Sequence, residues 1–287
     1  MTDSPLRSER LLDDTPTGSV TGTLYLVPVP LGPDEDPLRV LPPATVEATV
    51  GLDCFIAEHA RSARAVLARL PMRRPLQEIT IVELNRNTPE DRLPALLEPL
   101  LAGRDAGLLS EAGCPAIADP GAALVALAHR RGIRVVPLVG PSSLLLALMA
   151  SGMNGQAFSF AGYVPVDAAE RTERLRELER RSASTGETVL MIETPYRTQA
   201  LFDAMLAALA PATRIGVAAR LTMAGETTQS RTVAEWRALR PELERTPTVL
   251  SLQGERAGSP TRARPKGARE AAPRPAGARP PRPRRGR

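Results

Sequence analysis

Apolar residues fall along the chain in short runs that switch between a period of two and a period near 3.6. Gly22-Thr23-Leu24-Tyr25-Leu26-Val27-Pro28 is apolar and β-rich and predicts a buried first strand. Val29 to Pro33 predicts a loop, because its prolines cannot continue a sheet ladder. Pro43 to Val50 suits a short helix and Asp53 to Ala57 a second strand. From Ala60 the residues Ala63, Val66, Leu67 and Leu70 recur at helical spacing, with Arg61, Arg64 and Arg69 interleaved. Pro89 to Leu101 predicts another helix, with Gly103 as its C-cap. Ala106 to Leu109 predicts a strand, Ser110 to Gly121 the loop after it, and Ala122 to Arg131 a helix that stops at Gly132. Ile133 to Leu138 predicts a strand and Val139 to Ser142 a turn. Strands alternating with helices at this spacing imply an α/β layered domain with largely parallel strands.

A second unit begins near Ser142. Leu144 to Ser151 predicts an apolar helix, Phe158 to Gly162 a strand, and Ala168 to Ser182 a strongly charged amphipathic helix. Thr188 to Glu193 and Arg214 to Ala219 predict strands on either side of a helix over Thr198 to Leu209. Thr227 to Val233 and Pro247 to Gln253 complete a mixed sheet. The expected organisation is a leader over residues 1–19, α/β domains over 20–140 and 141–255, and a tail over 256–287. The tail is rich in Arg, Pro, Ala and Gly and lacks aliphatic β-branched and aromatic residues, a composition that predicts disorder, as does the polar leader.

Charge sharpens this division. The chain of 287 residues carries a net +5, but residues 257–287 hold ten Arg or Lys and one acid, which leaves about −4 for residues 1–256. The folded part is mildly acidic, and the basic character sits at one end, where Arg262 to Arg287 read either as a non-specific RNA contact through counterion release or as a solubilising low-complexity end. The longest mainly apolar stretch, Leu144 to Ala150, falls far short of the ~20 residues of a membrane helix. Residues 1–20 show no secretory apolar core, so a cytoplasmic protein is expected. Cys54 and Cys114 have no metal-ligand spacing and read as reduced, small apolar residues, with no metal site expected.

The most informative stretch is Ser110-Glu111-Ala112-Gly113-Cys114-Pro115-Ala116-Ile117-Ala118-Asp119-Pro120-Gly121. It follows a strand at the edge where open α/β sheets bind ligands. Small residues at 110, 112 and 113 let a ligand approach the main chain, and Asp119 is placed to cap the next helix.

This stretch resembles the S-[DE]-A-G-x-P-x-x-x-D-P-G motif of the tetrapyrrole-methylase superfamily. It is most similar to the branch of bacterial small-subunit ribosomal RNA 2′-O-ribose methyltransferases. Five further blocks in chain order resemble that branch: Gly22 to Gly32, Arg134 to Ser143, Phe160 to Pro165, Glu193 to Arg197, and Leu221-Thr222 with Glu226-Thr227. The resemblance covers residues 22 to about 254. It implies two α/β domains of tetrapyrrole-methylase type with S-adenosyl-L-methionine in the interdomain cleft, and a homodimer. Carried over position by position, it implicates Pro30, Ser110, Glu111, Ala112, Gly113, Ile117, Ser142, Glu193, Pro195 and Thr222 in cofactor binding. Most of these are small or apolar, which suits a thioether–adenosine ligand held by shape and a few polar anchors. The G-x-G-x-x-G of Rossmann methyltransferases is missing.

Methyl transfer from a sulfonium asks a protein mainly for in-line alignment and exclusion of water. A hydroxyl acceptor also loses a proton, which makes Glu58 and Glu111 the candidate catalytic carboxylates. Where the ribosomal branch has E-D-T-R, this chain has Glu58-His59-Ala60-Arg61, and Met223 replaces the lysine of L-T-K. These departures bear on the acceptor and leave cofactor use intact. His59 reads as a helix-start surface residue or a proton shuttle, and His129 as structural. Arg61, Arg64, Arg69, Arg73 and Arg74 form either a phosphate-binding stripe or a solvated helix face. Three functions remain open: an RNA 2′-O-methyltransferase, a small-molecule methylase of tetrapyrrole type, and a cofactor-binding relative without turnover.

Overall fold

The computed structural model describes residues 21–256, so the leader and all of the tail beyond Arg256 lie outside the described residues. The first half builds a five-stranded sheet from β1 (Thr23–Val27), β2 (Cys54–Ala57), β3 (Thr80–Glu83), β4 (Ala106–Leu109) and β5 (Arg134–Pro137). The strand order is β3-β2-β4-β1-β5, with every pairing parallel. Between the strands run α1 (Pro37–Val40), α2 (Pro43–Val50), α3 (Ala60–Leu67), α4 (Leu93–Leu96), α5 (Glu98–Leu101) and α6 (Ala122–Arg130). β2 and β4 are buried at every position, as strands covered on both faces must be.

The second half opens with α7 (Ser143–Ser151), followed by β6 (Phe158–Phe160), α8 (Ala168–Thr185), β7 (Thr188–Glu193) and α9 (Thr198–Ala208). β8 (Arg214–Ala219), β9 (Thr227–Thr232), α10 (Val233–Leu239) and β10 (Thr248–Gln253) complete it. Its sheet has the order β6-β7-β10-β8-β9, with β6 parallel to β7 and the other pairings antiparallel, a mixed sheet as expected.

Each sheet carries apolar cores on both faces. Leu24, Ile56, Leu108 and Leu124 pack on one face of the first sheet, and Val27, Phe55, Leu67 and Leu109 on the other. In the second sheet Leu175, Leu178, Phe202, Met205, Trp236 and Leu250 form the larger cluster. Phe202 and Trp236 meet edge to face at 5.4 Å, and the indole N–H donates to Ile215 O at 3.0 Å, so the buried ring leaves no polar atom unmet. The opposite face is covered by Ala147 and Leu148 of α7, with Leu31 from the first loop packed against the same cluster. That contact carries the first half onto the second.

The helix expected over Pro89 to Leu101 is broken. A 3₁₀ turn at Glu90–Arg92 leads into α4, and α5 starts anew after Leu97. Pro94 and Pro99 each lack an N–H to continue a ladder, and each sits in the first turn of its own short helix. Asp119 does not cap α6 either: the N-cap is Gly121, at φ +134°, with no side-chain capping bond.

Candidate active site

Because the first sheet is all parallel, every loop leaving a carboxyl end opens on one edge. Register sharpens this. Val27 pairs with Leu109, and Ala57 with both Leu109 and Glu83, so four strands finish in one row. The residues that follow, among them Glu58 and Ser110, start their loops side by side.

The loop after β4 is wound tightly at the centre of this edge. Ser110 is buried, and its hydroxyl reaches the carbonyls of Ala112 and Gly113 at 3.3 and 3.2 Å. Gly113 exchanges two backbone hydrogen bonds with Val29, of 2.9 and 3.1 Å, which sets Pro30 beside it. Its φ is +70°, and a Cβ there would lie 3.1 Å from Leu31 Cδ2 and 3.3 Å from Pro141 O. Three loops therefore converge on a residue where a Cβ would press on its neighbours and the backbone conformation favours glycine. Ala116 and Ala118 also have left-handed φ values of 64° and 65°, an uncommon state for residues with a Cβ.

A cavity of about 190 Å³ opens beside this loop. Glu111, Gly113, Ile117 and Asp119 form one wall, and Ser142, with Ile192 of the second sheet, the other. Ala112 also lines it. Ser142 is the N-cap of α7, yet its hydroxyl makes no capping bond, so the cavity faces a free hydroxyl and a helix N-terminus. Such an end suits an anionic group. Cys114 also borders the cavity, and burial pushes its thiol pKa up, consistent with an inert apolar role.

Glu111 and Asp119 of the cavity wall have Glu58, Arg86 and His59 as neighbours. Glu58 follows β2 directly and is half-buried. His59 Nδ1 lies 3.4 Å from Glu111 Oε1, with both side chains well exposed. Glu83, at the end of β3, accepts from Ala60 N at 2.9 Å and so anchors the start of α3 and the Glu58–His59 turn. Asp119 is half-buried and makes no hydrogen bond or ion pair among the described residues. Its carboxyl pKa is pushed up to about 6, first by desolvation and then by the nearby Glu58 carboxylate. Arg86, in the loop after β3, pulls the other way, and Glu111 adds a smaller upward push. Sequence reasoning missed Arg86 because it missed the strand that presents it, and it gave Asp119 a capping role instead of a place in this cluster.

The remaining candidates divide. Thr222 lies across a separate hollow of about 660 Å³, lined by Asp34, Glu35, Asp36, Arg39, Arg220 and Met223 among others and by none of Ser110 to Asp119. There one oxygen, Glu35 Oε2, accepts from Gly32 N at 2.7 Å and from Thr222 Oγ1 at 3.0 Å, tying the first loop to the second half across 187 residues. Arg69 donates to the Glu35 carbonyl at 2.8 Å. Glu35→Ala is expected to lower stability by about 1–3 kcal/mol, the worth of hydrogen bonds to a charged group. Denaturant titration checks this, and a change within error would mean that the tie is solvated. Glu193 is buried at the end of β7, where Oε1 accepts from Thr194 N at 2.7 Å and Oε2 lies 3.0 Å from Arg197 Nη2. That second contact is an ion pair without hydrogen-bond alignment. Pro195, half-buried in the same corner, lines neither hollow.

The arginine stripe is not uniform. Arg64 and Arg69 donate to backbone carbonyls and Arg74 pairs with Asp53, which leaves Arg61 and Arg73 without side-chain partners among the described residues. Among the described residues no cluster of His, Cys, Asp and Glu could hold a metal ion, and no helix is long and apolar enough to cross a membrane.

Comparison with known proteins gives this geometry a context. The family model of the tetrapyrrole (corrin/porphyrin) methylases matches residues 23–236. The chain is 33% identical to the ribosomal RNA small subunit methyltransferase I of Mesorhizobium japonicum, over 77% of this chain and 70% of that protein. It is 35% identical to the protein of the same name from Xylella fastidiosa, over 75% of this chain and 74% of that protein. Among solved structures, the methyltransferase CobJ overlays with a TM-score of 0.53 at 17% identity, covering 82% of this chain and 95% of that one. Cobalt precorrin-4 methyltransferase gives 0.51 at 15%, covering 80% and 94%, a likeness of fold. The chain belongs to the tetrapyrrole methylase family and is an S-adenosylmethionine-dependent methyltransferase.

Proposed function

We propose that the chain methylates the 2′-oxygen of a ribose in small-subunit ribosomal RNA. The cofactor would lie between an N-terminal domain over 20–140 and a C-terminal domain over 141–255. The carrying observation is the cavity walled by the Ser110–Asp119 loop on one side and by Ser142 and Ile192 on the other. The names of the relatives support the acceptor class.

The residues present fit the cofactor. Ala112 and Gly113 leave main chain accessible, Ile117 offers an apolar surface, and the Ser142 hydroxyl with the α7 N-terminus suits a carboxylate. The family resemblance also assigns Pro30, Ser110, Glu193, Pro195 and Thr222 to the cofactor shell; none of them lines this cavity, and Thr222 lines the separate hollow. When bound, S-adenosylmethionine supplies an electrophilic methyl on a sulfonium sulfur. Glu58 and Glu111 stand on the acceptor's side, where their charge favours a cationic donor and orients a hydroxyl. The Ser110–Gly113 turn and α7 hold the reacting centre in line and away from water. Arg61 and Arg73 offer phosphate contacts, and the basic tail adds a non-specific one. A cytoplasmic homodimer completes the reading.

The test is transfer of radiolabelled methyl from the cofactor to small ribosomal subunits from a strain lacking the corresponding enzyme. Label mapped to one ribose supports the reading. Label confined to small molecules, or found only on bases, sinks it.

A further inference from the structure

Three carboxyl groups, Glu58, Glu111 and Asp119, lie close enough to interact beside the cofactor cavity, and their surroundings differ. Glu111 is solvated and has His59 at 3.4 Å. Glu58 is half-buried but does not line the cavity. Asp119 alone combines a place in the cavity wall, partial burial and a carboxyl with no hydrogen bond or ion pair among the described residues. The backbone fixes it there. Left-handed residues at Ala116, Ala118 and Gly121 bracket it, and Pro120 stiffens the next step. A loop wound this way holds one side chain in one direction at an energetic cost that an ordinary strand-to-helix connection would not carry.

Building on the ribose reading above, we propose that Asp119 is the group that takes the proton from the acceptor hydroxyl during methyl transfer. The acceptor oxygen forms its bond to the methyl carbon, the pair of the breaking carbon–sulfur bond stays on sulfur, and the hydroxyl proton passes to the Asp119 carboxylate. Partial burial first, and then like-charge repulsion from Glu58 and more weakly Glu111, keep that carboxylate basic, and Arg86 opposes them. His59 Nδ1 lies 3.4 Å from Glu111 and is the remaining titratable neighbour of this group. A carboxyl that titrates near 6 is ionised at neutral pH and still basic enough to receive a proton, which an exposed aspartate near 4 does less well.

The sign of the stability effect follows from the same titration. Because the folded-state pKa is raised, Asp119 favours the fold below its unfolded pKa near 4, and that contribution is lost as pH rises through about 6. At pH 8 the group carries a desolvation penalty. Asp119→Asn should therefore melt at or above the wild-type temperature at pH 8, while methyl transfer at saturating cofactor falls by about 10²–10⁴-fold. The wild-type rate should rise with pH through a limb near 6 that the Asn variant lacks and Asp119→Glu retains. Binding of S-adenosylhomocysteine, measured by calorimetry, should stay within about threefold of wild type in Asp119→Asn.

A wild-type chain that labels no ribose overturns both this inference and the reading it rests on. A wild type that labels one ribose, beside an Asn variant that keeps its rate and its acidic limb, overturns the inference alone. So does an Asn variant whose lost activity is matched by lost binding of S-adenosylhomocysteine, since that outcome gives Asp119 a role in the cofactor shell.

Discussion

Replacing Arg197 by alanine should lower stability by about 3–5 kcal/mol, the usual cost of leaving a buried charge without its partner. The two members of the pair are unequal. The Glu193 side chain is 1% exposed, whereas that of Arg197 is 36% exposed. Loss of the arginine strands a carboxylate that water cannot reach, with Thr194 N as its remaining donor. The second step of the experiment separates charge from shape: Glu193→Gln added to Arg197→Ala should recover most of the loss, because a neutral amide needs no counter-ion there. Urea denaturation of the two variants measures both steps. A cost below about 1 kcal/mol for the single variant would place the pair with solvated surface bridges. Since β7 ends at Glu193, the corner it stabilises also fixes the position of neighbouring Ile192 in the cavity wall.

Phe202→Ala should cost a similar amount, about 3–5 kcal/mol, by a different mechanism. Phe202 is fully buried in the larger core of the second sheet and meets Trp236 edge to face. Truncation removes that contact and leaves a void that Trp236 cannot fill, because its indole N–H is held by Ile215 O on β8. At roughly 2–4 °C per kcal/mol for a chain of this size, the melting temperature should fall by roughly 6–20 °C. Binding of S-adenosylhomocysteine well below the new transition should be unchanged, as the ring lines neither hollow. A large affinity loss in a folded variant would contradict the separation of this core from the site.

The buried strands of both sheets were legible because short apolar runs in an α/β chain are either buried strands or nothing stable. Ala106–Leu109, Thr188–Glu193 and Arg214–Ala219 fall where their apolar runs predict. β3 was not legible. Thr80, Val82 and Glu83 are exposed on an edge strand, so the burial signal that marks its neighbours is absent. α10 did leave a signal in Thr232 and Glu235, which form a capping box, but the seven-residue helix it starts is too short for a period to show. The candidate site was half legible. The Ser110–Gly113 turn was visible as small residues after a strand and Ser142 through motif similarity, and the cavity brings Glu111 to Gly113 together with Ser142. Asp119 and Arg86 were not, because their significance is electrostatic and comes from loops on different strands meeting in space. Thr222 came from motif similarity, and its partner Glu35 had no local mark at all.

The row of aligned strand ends has a consequence for how this enzyme could be altered. With the order β3-β2-β4-β1-β5, the loops after β3 and β2 lie at one end of the edge and those after β1 and β5 at the other, about 4.8 Å per strand apart. Glu58, His59 and Arg86 thus belong to one end, Pro30 and Ser142 to the other, and the loop after β4 straddles both. The edge is in effect modular. Segments 58–64 and 84–88 could be exchanged as cassettes, with the loops after β1 and β5 left as they stand.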